Sequence, residues 1–112
     1  MFYLNRVILA GRLKDAPEIR YTPKGKPVTF FTLSLASERL EDESFAFEDI
    51  SIRVMFLGER SELWAKGKVK AGENVLVEGG LVQRRWETAE GRMRREIEVV
   101  AHKVRDISEK ED

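Results

Sequence analysis

The chain has 112 residues, 42% of them hydrophobic and 36% charged, with 20 basic residues balancing 20 acidic ones. That length makes one domain able to bury its own core. The lack of cysteine excludes disulfides and thiolate metal sites, and a single histidine leaves little for a metal centre.

The neutrality arises by cancellation between segments. From Met1 to Phe30 six basic residues face two acids, a net of +4; from Glu38 to Asp49 the net is −5; from Arg84 to Arg95 five arginines face two glutamates, a net of +3. A neutral total therefore does not exclude a polyanionic partner. The opening MFYLNRVILAG lacks a basic leader and carries Asn5 and Arg6 inside its apolar run, so it reads as neither a secretion signal nor a membrane span. The expected location is cytoplasmic.

NRVILAGRL reads as a strand that breaks at Gly11, where a bulge or sharp bend is expected. Glu18–Thr22 can extend as a short edge piece before Pro23 and Gly25 turn the chain. PVTFFTLSLAS is a second strand with Phe31, Leu33, Leu35 and Ser37 on one face and Phe30, Thr32, Ser34 and Ala36 on the other. The polar ERLEDESFA connects it to FEDISIRVMFLG, whose alternation turns Ile50, Ile52, Val54 and Phe56 inward and leaves Ser51, Arg53, Met55 and Leu57 outside. A short helix carrying Leu63 and Trp64 stops at Gly67. ENVLVEGGLVQRRW is a long strand in which Gly79-Gly80 marks a bend or a close backbone approach. ETAEG turns into the last strand, RMRREIEVVAHKVRDI. Residues 1–107 thus read as one domain and residues 108–112 as a short charged tail.

Five strands, a short helix between the third and fourth, and glycines at the bends describe an all-β fold closed into a small barrel. A five-stranded Greek-key OB-fold has this order; an SH3-like barrel or a small sandwich also satisfies the pattern.

The ordered pieces NRVILAGRLKDAPEIRYTPKGKPVTFFTLSLAS, RVMFLGERSELWAKGKVKAGENVLVEGGL and the following Arg84-Arg85-Trp86 resemble bacterial single-stranded-DNA-binding proteins over Asn5–Ile107. Ala16, between Asp15 and Pro17, departs from that family's pattern. The resemblance implies an OB-fold homo-oligomer, dimer or tetramer, that binds single-stranded DNA without sequence preference in replication, recombination or repair. No cofactor and no metal are implied. A primosomal-type or protein-binding OB module with weak nucleic-acid affinity is the alternative, with replication or primosome proteins as partners.

Such binding needs aromatic faces for bases and cations along the backbone path. Arg84 and Trp86 share a strand face by period 2, Arg85 lies between them, and Arg92, Arg94 and Arg95 return on the opposite arm. Arg53, Arg6 and Arg20 match basic positions of the family. Trp64 is expected to plug the barrel, Tyr21 to pack at its corner, and His102 to be structural. Three usual stacking aromatics are replaced, by Arg39, Ser51 and Leu57. At ~1–3 kcal/mol per stacked base, weaker and more salt-sensitive binding is expected. The family usually ends in a long acidic-tipped tail, whereas the chain as given stops at Asp112 after SEKED. Either the tail has been removed or the protein is naturally short, in which case it resembles the primosomal relatives. An enzyme is disfavoured, because no nucleophile-and-base arrangement is evident. An RNA-binding OB module stays open, since stacking does not exclude ribose.

Overall fold

The computed structural model describes residues 3–38 and 47–107. The elements are β1 (Val7–Leu13), β2 (Glu18–Tyr21), β3 (Pro27–Leu35), β4 (Ile50–Leu57), α1 (Glu59–Lys66), β5 (Asn74–Glu87) and β6 (Met93–Ile107). Most of the acidic connection and the whole 108–112 tail lie outside the described residues.

Pairing closes the strands into a ring. β1 runs antiparallel to β5 from Val7↔Gly79 to Arg12↔Asn74, and its last residues then pair with β3 at Arg12↔Ser34 and Leu13↔Leu33. β5 pairs with β6, β6 lies parallel to β4 over Val54–Phe56, and β4 returns to β3. The ring β1-β5-β6-β4-β3-β1 is an OB-fold. β2 shares an edge of β3 with the end of β1, so Lys14–Pro17 is the corner where one curved strand is interrupted.

Leu13, Phe31, Leu33, Val54, Phe56, Val75, Val77, Val99 and Ala101 fill the barrel. Alternation along β3 and β4 puts their odd or even set inside as the pattern requires. Trp64 plugs one end, its ring centroid 5.1 Å from Phe31 and 6.1 Å from Phe56, and its Nε1 donates to Asp106 Oδ1 at 3.0 Å. α1 stops at Gly67, whose N–H bonds the Trp64 carbonyl.

Three expectations need correction. Gly11 does not break β1, which keeps register with β5 through to Arg12 and continues as a strand to Leu13. Glycine is required there because a Cβ would stand 2.5 Å from the Ser34 carbonyl oxygen, at the point where β1 leaves β5 for β3. Ile50 is 53% exposed instead of inward, since it pairs with Leu35 beyond the closed part of the barrel. Tyr21 is exposed at the strand end and does not pack into the corner. By contrast, the Gly79 region behaves as read: register shifts between Glu78 and Gly79, and a Cβ on Gly79 would overlap the Val100 carbonyl.

Two hairpin turns use one device. In Thr22–Lys26 and again in Thr88–Arg92, the glycine N–H bonds the threonine carbonyl and the threonine N–H bonds the carbonyl of the closing cation. The threonine hydroxyl accepts from that cation's N–H at 3.1 Å in both turns. Gly25 and Gly91 have φ of 82° and 81°, the left-handed conformation such a turn needs at its fourth residue. The second turn ends a two-stranded arm, Val82–Glu87 against Met93–Glu98, that projects past the barrel.

Candidate nucleic-acid interface

Residues that alternate away from the core on five strands meet in one row. On β3, Thr29 and Phe31 are buried, so Phe30 between them faces outward, opposite Glu18 of β2 and Met55 of β4. Arg53 of β4 lays its guanidinium carbon 4.5 Å from the Phe30 ring centroid, and Arg20 of β2 lies 5.6 Å from it. Arg53 Nε stands 4.0 Å from Glu98 Oε1 on β6. Arg84 Nε of β5 donates to the other oxygen, Oε2, at 2.5 Å. The Arg84 guanidinium carbon then sits 4.0 Å over the Trp86 ring. The row Arg20, Phe30, Arg53, Glu98, Arg84, Trp86 therefore crosses the sheet without a gap, with Arg94 directly opposite Trp86.

Electrostatics distinguish the cations. Glu98 is 1% exposed although it belongs to the outer face, because both arginines cover it. A carboxylate so enclosed demands compensation. Arg84 supplies it by hydrogen bond at Oε2, whereas Arg53 brings its charge to 4.0 Å and leaves Oε1 without a hydrogen-bond partner among the described residues. Arg84 also lies 3.9 Å from Glu96, and Arg20 is 3.1 Å from Glu18. Among the described residues Arg85, Arg92, Arg94 and Arg95 form no ion pair. Arg94 presents its charge beside Trp86, and Arg92 closes the arm's turn.

The other sequence candidates fall elsewhere. Arg85 pairs with Arg95 on the arm's opposite face, where Leu81, Met93 and Ile97 are exposed. Arg6 stands 3.9 Å from Glu78, beside Arg60, His102 and Lys103 at a shallow cleft remote from the row. His102 is thus an exposed cleft residue. Asn5 pins this segment to β5, its amide both donating to and accepting from the Leu81 backbone at 2.7 Å. Ser51 accepts a bond from Lys14 at 3.4 Å, and Leu57 is half exposed; Arg39 lies outside the described residues. On α1, the Lys66 ammonium bonded to Glu62 at 2.6 Å lowers that carboxyl's pKa and is itself raised by it. No cluster of three metal-ligating side chains occurs among the described residues. No helix there is long and apolar enough to cross a membrane.

Sequence reading missed Phe30 and Glu98. The signal for Phe30 was its place on the polar face of β3 with Thr32 and Ser34; that for Glu98 was a lone acid inside the apolar run IEVVA.

Comparison with known proteins agrees with this architecture. A Thermotoga maritima single-stranded DNA-binding protein is 40% identical over 111 residues, which is 98% of this chain and 78% of that protein. An Aquifex aeolicus protein of the same description is 37% identical over 107 residues, covering 94% of this chain and 71% of the relative. A solved structure described as Plasmodium falciparum SSB in complex with ssDNA superposes with a TM-score of 0.79 at 18% identity, covering 96% of this chain and 98% of that one, and so shares the fold. Residues 4–107 match the single-strand binding protein family, and the chain belongs to that family.

Proposed function

We infer that this chain binds single-stranded DNA without sequence preference through the outer row of the barrel. The carrying observation is the Trp86 ring, held by Arg84 at 4.0 Å and flanked by Arg94, which forms no ion pair among the described residues. Every base has a π-face, so a fixed ring accepts any sequence, and neighbouring guanidinium groups hold the phosphates. Trp86 stacks a base. Arg84 fixes the ring, because its own charge is engaged by Glu98 and Glu96. Arg92 and Arg94 take phosphates at the arm, and Arg20 and Arg53 take them at the barrel. Arg85 and Arg6 lie on other faces, and an oligomer just long enough to fill the row leaves them untouched.

The Thermotoga maritima and Aquifex aeolicus relatives are single-stranded DNA-binding proteins, which supports the same reading. The domain is residues 1–107, its role is binding without catalysis, and its place is the cytoplasm, with the nucleoid. Among the described residues β1 pairs with β3 only at Arg12 and Leu13, leaving one edge from Val7 to Gly11 without a strand partner there, which supports a homo-oligomer. Replication, recombination and repair are the settings in which such strands arise.

Fluorescence anisotropy with a labelled thymidine oligomer, the same length of uridine oligomer and a duplex tests the reading at low and moderate salt. Tighter binding of the thymidine oligomer than of the duplex, weakening with salt, is expected. Equal affinity for the duplex contradicts it. No binding at low salt leaves a protein-binding OB module.

A further inference from the structure

Phe30 sits on the outer face of β3, is not part of the barrel's core cluster, and lies between two cations. We propose that Phe30 is a second base-stacking platform, at the opposite end of the row from Trp86. The proposal rests on the single-stranded DNA reading above and adds a residue to it.

Four observations carry the argument. Alternation fixes the ring outward, since Thr29 and Phe31 on either side are buried. Cation contacts at 4.5 and 5.6 Å show that the ring's faces are reachable by planar groups, and a nucleobase is such a group. The arrangement repeats that at Trp86: an aromatic ring, a guanidinium over it, and a glutamate holding the guanidinium, here Arg20 with Glu18 at 3.1 Å. Finally, the two flanking arginines differ in freedom. Arg53 leans towards the buried Glu98, whereas the Arg20 side chain is 61% exposed and its partner Glu18 62%. A base arriving at Phe30 displaces Arg20, the more distant and more solvated of the two. The displaced guanidinium stays within reach of the phosphates flanking that base. Aromatic stacking removed at Ser51 and Leu57 is in this way partly restored on the neighbouring strand.

Three strand intervals of ~4.8 Å and six residues of offset at a rise of ~3.3 Å put the two rings roughly 25 Å apart. A dinucleotide therefore reaches one ring and an octanucleotide both.

The test compares the wild type, Phe30→Leu, Phe30→Tyr and Trp86→Ala in binding to thymidine dinucleotide, thymidine octanucleotide and an abasic octanucleotide that keeps only sugar and phosphate. Leucine keeps the apolar bulk and the strand, and thermal melts check the fold. Phe30→Leu is expected to weaken octanucleotide binding by about five- to a hundredfold and to leave abasic binding and its salt slope unchanged. Phe30→Tyr restores the affinity. An equal loss on the abasic oligomer overturns the proposal, because it assigns Phe30 to holding arginines. An unchanged octanucleotide affinity also overturns it. If Trp86→Ala has no effect, or the wild type binds no octanucleotide, the single-stranded DNA reading itself fails and the proposal falls with it.

Discussion

Glu98→Gln separates two effects that the row combines. Glu98 is buried beneath Arg84 and Arg53, bonded to the first at 2.5 Å and 4.0 Å from the second. Glutamine keeps the shape and an oxygen able to accept from Arg84 Nε, but removes the charge. Arg84 stays charged in the variant, so its bond to the glutamine oxygen remains in the range of about 1.5–3 kcal/mol for a bond to a charged group, and the bond itself loses at most ~1.5 kcal/mol within that range. Relief of burying a carboxylate offsets part of that loss. The arginine side chains are 38% exposed, so water already screens their charge. A net loss of about 1 kcal/mol, roughly 4 °C in melting temperature for a domain of this size, is the expected outcome. Binding moves the other way. With the carboxylate gone, about one more cationic charge faces the phosphates, and for single strands each such contact steepens the salt slope by ~0.7. Anisotropy with a thymidine oligomer over a salt series, beside a thermal melt, reads both quantities. Tighter binding at low salt with a steeper slope is expected. Weaker binding with an unchanged slope would refute the reasoning, because Glu98 would then act only by fixing Arg84 over Trp86.

Three further outcomes follow from single sites. Thr29 is fully buried, and its hydroxyl has no partner among the described residues, so Thr29→Val should raise stability by about 1 kcal/mol in urea unfolding. Gly79→Ala forces a methyl group into the Val100 carbonyl, and a loss of about 3 kcal/mol or more is expected, read as a melting temperature lowered by roughly 10 °C. Arg94→Ala should weaken oligomer binding and flatten the salt slope by ~0.7. Arg85→Ala, on the other face of the arm, should change the binding of a row-length oligomer far less. Equal effects at the two positions would count against the outer row as the path of the strand.

Local patterning made much of this fold legible. Alternation in β4 identified Val54 and Phe56 as core and Arg53 as external, and Pro23 with Gly25 and the stretch ETAEG marked the two turns, whose shared threonine device only the structure shows. The same-face relation of Arg84 and Trp86 followed from period 2 alone, because it needs no partner strand. What failed to show depends on register between distant strands. Glu98 meets Arg84 only across the β5–β6 ladder and Arg53 only because β4 and β6 run parallel, a pairing that local patterning does not encode. The consequence is functional, since Arg84 reads in sequence as a free cation and in the fold is already engaged. Phe30 was hidden for a different reason. Period 2 puts it on one face with Thr32 and Ser34, but a phenylalanine next to Phe31 in an apolar run reads as packing, and its contacts with Arg20 and Arg53 appear only once β2 and β4 are paired to β3. Gly11 was read as a bend because glycine has two uses, freedom of φ and absence of a side chain, and here the second applies.

Tryptophan fluorescence during titration with a thymidine oligomer tests the central claim, stacking on Trp86, most directly. The two tryptophans report separately: Trp64 is packed against Phe31 and Phe56 and bonded to Asp106, whereas Trp86 lies on the outer row. The account predicts quenching at low salt that weakens as salt rises and vanishes in Trp86→Ala, where Trp64 alone remains. Quenching that persists in Trp86→Ala, or oligomer binding with no change in the emission of the wild type, contradicts it.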